Sequence, residues 1–285
     1  MSRNAMSFVV ALTTLMSGAA PSALLASDQE QQPSSQKTSL EAQATTMAKA
    51  ERPDTDTKEA QPAGPPTPAP VPMTVSSGGE IGVYSKYLWR GFVLADAVSM
   101  QPTYWVKFAD TLTVSSWMNV AREQLEGPLT EHDLTVDYTK AINSKFSVSA
   151  GWINYVFPGL DEGSVTNEIY GGLAHSSYLN PAVKVFVDFH EGKGTYFNFS
   201  VSHTYAVGSQ GFAATPSFGL GYNDKQWIDE ATWSDANFGV KLTVPTPIKR
   251  LFITPAIYYS KALNKDLGVF DDHFYGGVGI VTKLF

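Results

Sequence analysis

From residue 80 onward, apolar and polar side chains alternate with a period of two, the pattern of strands that keep one apolar face. In TYFNFSVSHTYAV, Phe197, Phe199, Val201, Tyr205 and Val207 share one face, and Asn198, Ser200, Ser202 and Thr204 share the other. AVKVFVDFH sets Val183, Val185, Val187 and Phe189 against Lys184, Asp188 and His190. DLTVDYTK sets Leu134, Val136 and Tyr138 against Asp133, Thr135 and Asp137, and NFGVKLTV sets Phe238, Val240, Leu242 and Val244 against Asn237, Lys241 and Thr243. The alternation predicts about twelve strands of roughly ten residues each. They start near Glu80, Val98, Thr111, Glu131, Lys145, Val165, Pro181, Thr195, Phe212, Ser234, Arg250 and His273. Tight connections such as ADT, NSK and GSQ alternate with longer acidic ones such as REQLEGPLT and LNKDLGVFDD. An even strand count, short turns at one end and longer loops at the other describe an all-β fold, an antiparallel up-and-down transmembrane β-barrel. A secreted sandwich or jelly roll also alternates, but its edge strands lose the apolar face. Here nearly every strand keeps it.

The first predicted strand runs into SKYLWRGF, Ser85 to Phe92. Continuing the alternation puts Tyr87 and Trp89 on the lipid side with Ile81 and Val83, and puts Lys86 and Arg90 on the lumen side. Gly91 then turns the chain out of the barrel. On this reading Tyr87, Trp89, Trp152, Phe157, Tyr222, Tyr259 and Phe274 form an aromatic girdle at the loop end. Tyr138 and Tyr205, with Phe108, Phe146, Phe212 and Phe252, form one at the turn end. The lumen wall carries Lys86, Arg90, Lys107, Lys184 and Lys241 opposite Asp133, Asp137, Glu168, Asp188 and His190. Charge against hydrocarbon is costly, so this face is wet or internally paired. A water-filled pore whose wall charges set ion selectivity and a salt-bridged interior that closes a narrow barrel are both compatible with the pattern. The loops look too short to fold a constriction into the lumen, so wall side chains are the expected filter. MQPTYWVKF and TNEIYGGLA alternate poorly, and a one-residue slip there would swing Lys107 or Glu168 to the lipid side.

Composition narrows the class further. Of 285 residues, 43% are hydrophobic and 16% charged, and mean hydropathy is −0.11. No run of ~20 uncharged apolar residues follows the N-terminal region, which argues against a bundle of membrane helices. A formal charge of −7 offers no electrostatic footprint for nucleic acid. The absence of cysteine excludes disulfides and cysteine metal sites. Residues 1–26 read as a secretory signal peptide with cleavage after Ala26, the alternative being an uncleaved anchor. Residues 27–75, rich in Pro, Gln and Ala, read as a disordered periplasmic linker. Residues 76–285 are the barrel.

The chain ends on Phe285, which resembles the C-terminal assembly signal of bacterial outer-membrane barrels. YSKYLWRGF, followed by QP at 101–102 and an isolated Trp117, resembles the TorF-like (Gcw_chp-type) family of outer-membrane β-barrels. VDFHEGKGTYFNFSVSHTY resembles the middle of related members. The resemblance covers roughly Glu80 to Phe285. It implies location in the outer membrane and a channel function, and it carries over no catalytic residue.

Enzymatic signals are weak. The His175–Ser177 stretch and the Ser202–His203 pair are the adjacent Ser/His sets a lipid hydrolase would need. The second pair points to opposite faces of a strand. The five histidines lack metal-ligand spacing, so neither metal nor cofactor is expected. The sequence therefore points to a porin-like channel for passive diffusion of small hydrophilic solutes or ions. A closed structural or surface-interaction barrel is the alternative, and a lipid-modifying barrel enzyme a more remote one. The expected partners are outer-membrane lipid, lipopolysaccharide, the barrel-assembly machinery during biogenesis, and the solutes themselves. The oligomeric state is left open.

Overall fold

The computed structural model describes residues 73–121, 129–160, 164–208 and 210–284, and none of these is helical. The expected signal peptide, the bulk of the linker and Phe285 lie outside the described residues. The strands are β1 (Val75–Tyr84), β2 (Tyr87–Trp89), β3 (Phe92–Ala95), β4 (Ser99–Phe108), β5 (Leu112–Val120), β6 (Leu129–Ala141), β7 (Phe146–Val156) and β8 (Val165–His175). They continue with β9 (Ala182–Asp188), β10 (Gly194–Ser202), β11 (Tyr205–Val207), β12 (Phe212–Asp224), β13 (Ala231–Pro245), β14 (Leu251–Ala262) and β15 (His273–Lys283).

Each long strand pairs antiparallel with its sequence neighbour, and β1 closes the ring against β15. The β10–β12 pairing completes the circuit, with the short β11 continuing β10 along β12 after a break at His203 and Thr204. The wall is thus a closed barrel of twelve strands: β1, β4 to β10, and β12 to β15. Closure pairs the strand edges that an open sheet would leave exposed, a condition for any β structure in hydrocarbon.

The alternation acquires its physical meaning from the register. Val244, Ile253, Ile280, Ile81 and Pro102 are successive cross-strand partners over β13, β14, β15, β1 and β4. Ile81, Ile253 and Ile280 are all exposed, so this row lies on the outside of the barrel. Val187, Leu173, Phe199 and Leu134 are likewise exposed on other strands. An outer surface this apolar is what a hydrocarbon solvent requires. The intervening positions point inward and are small, polar or charged, among them Glu80, Thr103, Thr254 and Lys241.

The buried apolar cluster is not between sheets but inside the barrel, toward the longer loops. It gathers Tyr87, Trp89, Phe92, Trp117, Phe157 and Phe270 with several neighbours. Its centre is an inserted segment.

Candidate functional site

Ser85 to Val98 is the connection between β1 and β4, and it does not loop outward. β2 and β3 pair with each other and with no wall strand. Their turn is Arg90–Gly91, with φ of +48° and +87°. Two consecutive positive φ values match the two-residue type I′ hairpin turn, whose twist suits the flanking strands. Glycine takes this conformation freely. Arginine does not, and its placement there is paid for by what its side chain reaches.

Arg90 is 9% exposed. Its Nη1 and Nη2 donate to the two carboxylate oxygens of Glu168 on β8 at 2.6 and 3.0 Å. This is the bidentate geometry in which a guanidinium binds carboxylate most strongly. Nη1 also donates to Oε1 of Gln226 at 2.5 Å, and Gln226 Nε2 donates to Glu168. Tyr155 OH on β7 adds a further donor to Glu168 at 2.5 Å. The guanidinium lies over the rings of Trp89, Phe186 and Tyr196, 4.1 to 4.5 Å from their centroids. A fully desolvated charge is tolerated only with such complete pairing.

The hairpin touches several sides of the barrel. Tyr87 packs against Trp117 of β5, ring centroids 5.3 Å apart, and its hydroxyl donates to Glu131 of β6 at 3.2 Å. Phe92 packs against Phe270 of the β14–β15 loop at 4.8 Å. A Cβ at Gly91 would sit 3.0 Å from Phe270 and 3.1 Å from Asp235 of β13. The segment therefore reaches across the lumen from β5 and β6 to β8, β9, β10 and β13. Lys86 and Asp96 form an ion pair that ties its two ends together.

The structure corrects several expectations. Tyr87 and Trp89 are not in an outer girdle; they are 4% and 3% exposed, because the strand ends at Tyr84 and the chain leaves the wall at Ser85. Phe157, also expected at the rim, is 1% exposed within the same cluster. A connection does fold into the lumen, against the expectation that the loops are too short to do so. The sequence hint is slight: Gly91 between the apolar runs YLW and FVLA marks a turn, but the arginine before it is not a residue that a two-residue hairpin turn favours.

The other expected lumen residues separate by position. Glu168 and Lys107 point inward, so neither ambiguous strand slips: Val165, Ile169 and Leu173 hold the exposed face of β8 while Glu168 is buried, and Lys107 partners Ser76 beside inward Trp105. Asp133 is 3% exposed on β6. Asp137, four residues along on the same face, accepts from Tyr170 OH at 2.5 Å. Lys184 stands over the Tyr170 ring at 5.0 Å. Lys241 pairs with Glu80 at 3.5 Å. Asp188 is 2% exposed and held by Thr166 Oγ1 at 2.9 Å. His190 is a correction: it lies in the loop after β9, half-exposed beside Glu191, because β9 ends at Asp188.

Trp152, Tyr222, Tyr259, Phe274, Tyr138 and Tyr205 all lie on the outward face or at exposed strand ends. In the β14–β15 loop, Lys265 pairs with Asp271 at 2.8 Å and Asp272 at 3.1 Å. The Lys265 ammonium holds the Asp272 carboxyl down at about 2.

Among known proteins, the family model described as "Bacterial protein of unknown function (Gcw_chp)" matches residues 67–257, more than half of the chain. No curated protein matches the chain. Among solved structures, the NanC porin is similar at 13% identity, over 73% of this chain and 100% of that chain, with a TM-score of 0.49. The KdgM porin is similar at 13% identity, over 74% and 99% of the two chains, with a TM-score of 0.48. An outer membrane channel from Pseudomonas putida F1 is similar at 10% identity, over 78% and 100%, with a TM-score of 0.47.

Proposed function

For this chain, which belongs to the Gcw_chp family of bacterial proteins of unknown function, we propose a channel of the outer membrane for passive diffusion of small hydrophilic solutes or ions. One observation carries the reading. A single closed wall has continuous apolar rows outside and a polar, charged lining inside, which is the solvent partition of a water-filled membrane barrel. The TorF-like resemblance of the YSKYLWRGF stretch agrees with it. The segment from Ser85 to Val98 is the constriction, and Arg90, with its charge committed to Glu168, is its tether. Lys107, Lys184, Lys241, Asp133, Asp137 and Asp188 are the wall charges that bias ions passing it. Trp152, Tyr222, Tyr259, Phe274, Tyr138 and Tyr205 anchor the barrel at the two bilayer interfaces. Export by residues 1–26 and recognition of Phe285 by the assembly machinery complete this reading.

A second reading has its own support. The buried aromatic cluster and the paired Arg90 favour a lumen that rests closed, with the barrel serving a structural or surface role. Planar-bilayer recording of the refolded barrel separates the two. Discrete steps whose size scales with salt support the channel, and silence from demonstrably inserted protein supports the closed barrel.

A further inference from the structure

Seven tyrosines point into the barrel or sit on the inserted hairpin, and they divide into two kinds. Tyr87, Tyr155, Tyr170 and Tyr196 each give their hydroxyl to a carboxylate: Glu131, Glu168, Asp137 and Asp235 respectively. Tyr84, Tyr258 and Tyr275 do not; none of their hydroxyls donates to a described residue. These three are also neighbours, on β1, β14 and β15. Tyr258 and Tyr275 are direct cross-strand partners, stacked at 5.1 Å between centroids with 24° between planes. Tyr84 is opposite Gly277, two residues from Tyr275.

The wall beneath them is cut away to receive the rings. A Cβ at Gly82 or Gly277 would collide with the Tyr84 ring, and one at Gly239 would collide with the Tyr258 ring. The rings therefore lie down along the wall instead of standing across the lumen. The three residues hold inward positions of their strands and are partly exposed, and none of their hydroxyls is among the buried unpartnered atoms. Beyond them toward the short turns lie Thr254, Glu80 and Lys241, with the Glu80–Lys241 pair at 3.5 Å balancing its own charge. Ser85, where the inserted segment leaves the wall, bonds Gly276 directly beside the patch.

Three flat aromatic faces and three unspent hydroxyls specify a ligand, since Glu80 is paired with Lys241 and the nearby Asp235 carboxylate is fully buried under donors from Tyr196, Ser234 and Asn237. It has a flat apolar face, a rim of hydroxyls and no formal charge. An ionic solute would find nothing unpaired to hold it, and a hydrocarbon would leave the hydroxyls unsatisfied. A sugar ring meets each requirement, because its axial C–H groups stack on aromatic faces while its hydroxyls bond at the edge. We propose that Tyr84, Tyr258 and Tyr275 form a stacking subsite for a neutral oligosaccharide on the short-turn side of the inserted hairpin. The proposal deepens the channel reading and names a solute class for it.

The test uses the full-length barrel folded in a detergent without a sugar headgroup. Neutral gluco-, xylo- and galacto-hexaoses are titrated by isothermal calorimetry, beside an acidic galacturonate hexamer. Saturable binding of at least one neutral oligomer, tighter than the acidic one, is expected. Tyr258→Ala and Tyr275→Ala should each weaken it about tenfold. Tyr258→Phe, which keeps the ring and removes the hydroxyl, should weaken it less. Folding of every variant is checked by the faster migration of the unboiled barrel on a gel and by circular dichroism. Failure of all three neutral oligomers to bind, or binding that the alanine variants leave unchanged, overturns the subsite. Bilayer conductance on the same preparation judges the channel independently, since binding in detergent does not depend on an open path.

Discussion

Replacing Arg90 by leucine tests the tether directly. The substitution removes both guanidinium contacts to Glu168 and the one to Gln226, leaving a carboxylate that is 0% exposed with Tyr155 and Gln226 as its donors. Removing one partner of a buried ion pair costs about 3–5 kcal/mol. Burial of Tyr87, Trp89 and Phe92 continues to hold the hairpin inside, at roughly 1.5–3 kcal/mol for each side chain. The inserted state thus survives as the majority form, but its ratio to the released form falls by about two to three and a half orders of magnitude. Single-channel recording reads this as frequent excursions to a larger conductance that the native protein visits rarely. Glu168→Gln should behave similarly, and the exchange Arg90→Glu with Glu168→Arg should recover part of the native record. If the leucine variant, shown to be folded, gates and conducts as the native barrel does, the hairpin is not the limiting constriction and the tether has no role in conduction.

Other consequences follow from single positions. Gly91→Ala adds a Cβ at φ +87° against Phe270 and Asp235, which should cost about 1–3 kcal/mol and make the hairpin more accessible to protease added to the open face of the barrel. Unchanged protection would contradict the inserted turn. Ile257→Arg places a charge in the middle of the outward face of β14, where Ile257 is 54% exposed, and should cost about 2–4 kcal/mol in folding titrations into lipid vesicles; a neutral effect would place the residue outside the hydrocarbon. Lys184→Glu, reversing a lumen charge beside Tyr170, should move the reversal potential in a salt gradient toward cation preference, and no movement would remove Lys184 from the conduction path. The Asp272 carboxyl, held at about 2 against an ordinary 3.8, keeps its pairing with Lys265 fully above pH ~4 and loses it as pH falls through about 2. Carboxyl NMR of the β14–β15 loop should show that midpoint, and titration near 4 would refute the pairing.

The sequence alone determined the wall. Period-two alternation depends on a side chain's immediate neighbours and on which solvent each face meets, so eleven of the twelve predicted starts fall within a few residues of the observed strands. Even Lys107 and Glu168, in the poorly alternating strands, point where the pattern puts them, because closing the ring through β1 and β15 leaves no freedom for one strand to slip against both neighbours. The first strand is the exception, and it is instructive. It begins at Val75 and ends at Tyr84, yet the alternation runs unbroken into Tyr87 and Trp89. Apolar side chains look the same to a local pattern whether they face lipid or a packed interior, and only tertiary structure separates the two. What decides the matter is Glu168, seventy-eight residues away from Arg90, together with Gln226 and the rings of Phe186 and Tyr196. No local pattern records that these converge on one guanidinium. The same holds for Tyr84, Tyr258 and Tyr275, which lie on strands from opposite ends of the chain and become one surface only when the barrel closes. Which faces are apolar was therefore legible residue by residue, whereas the contents of the lumen depend on contacts that exist only after closure.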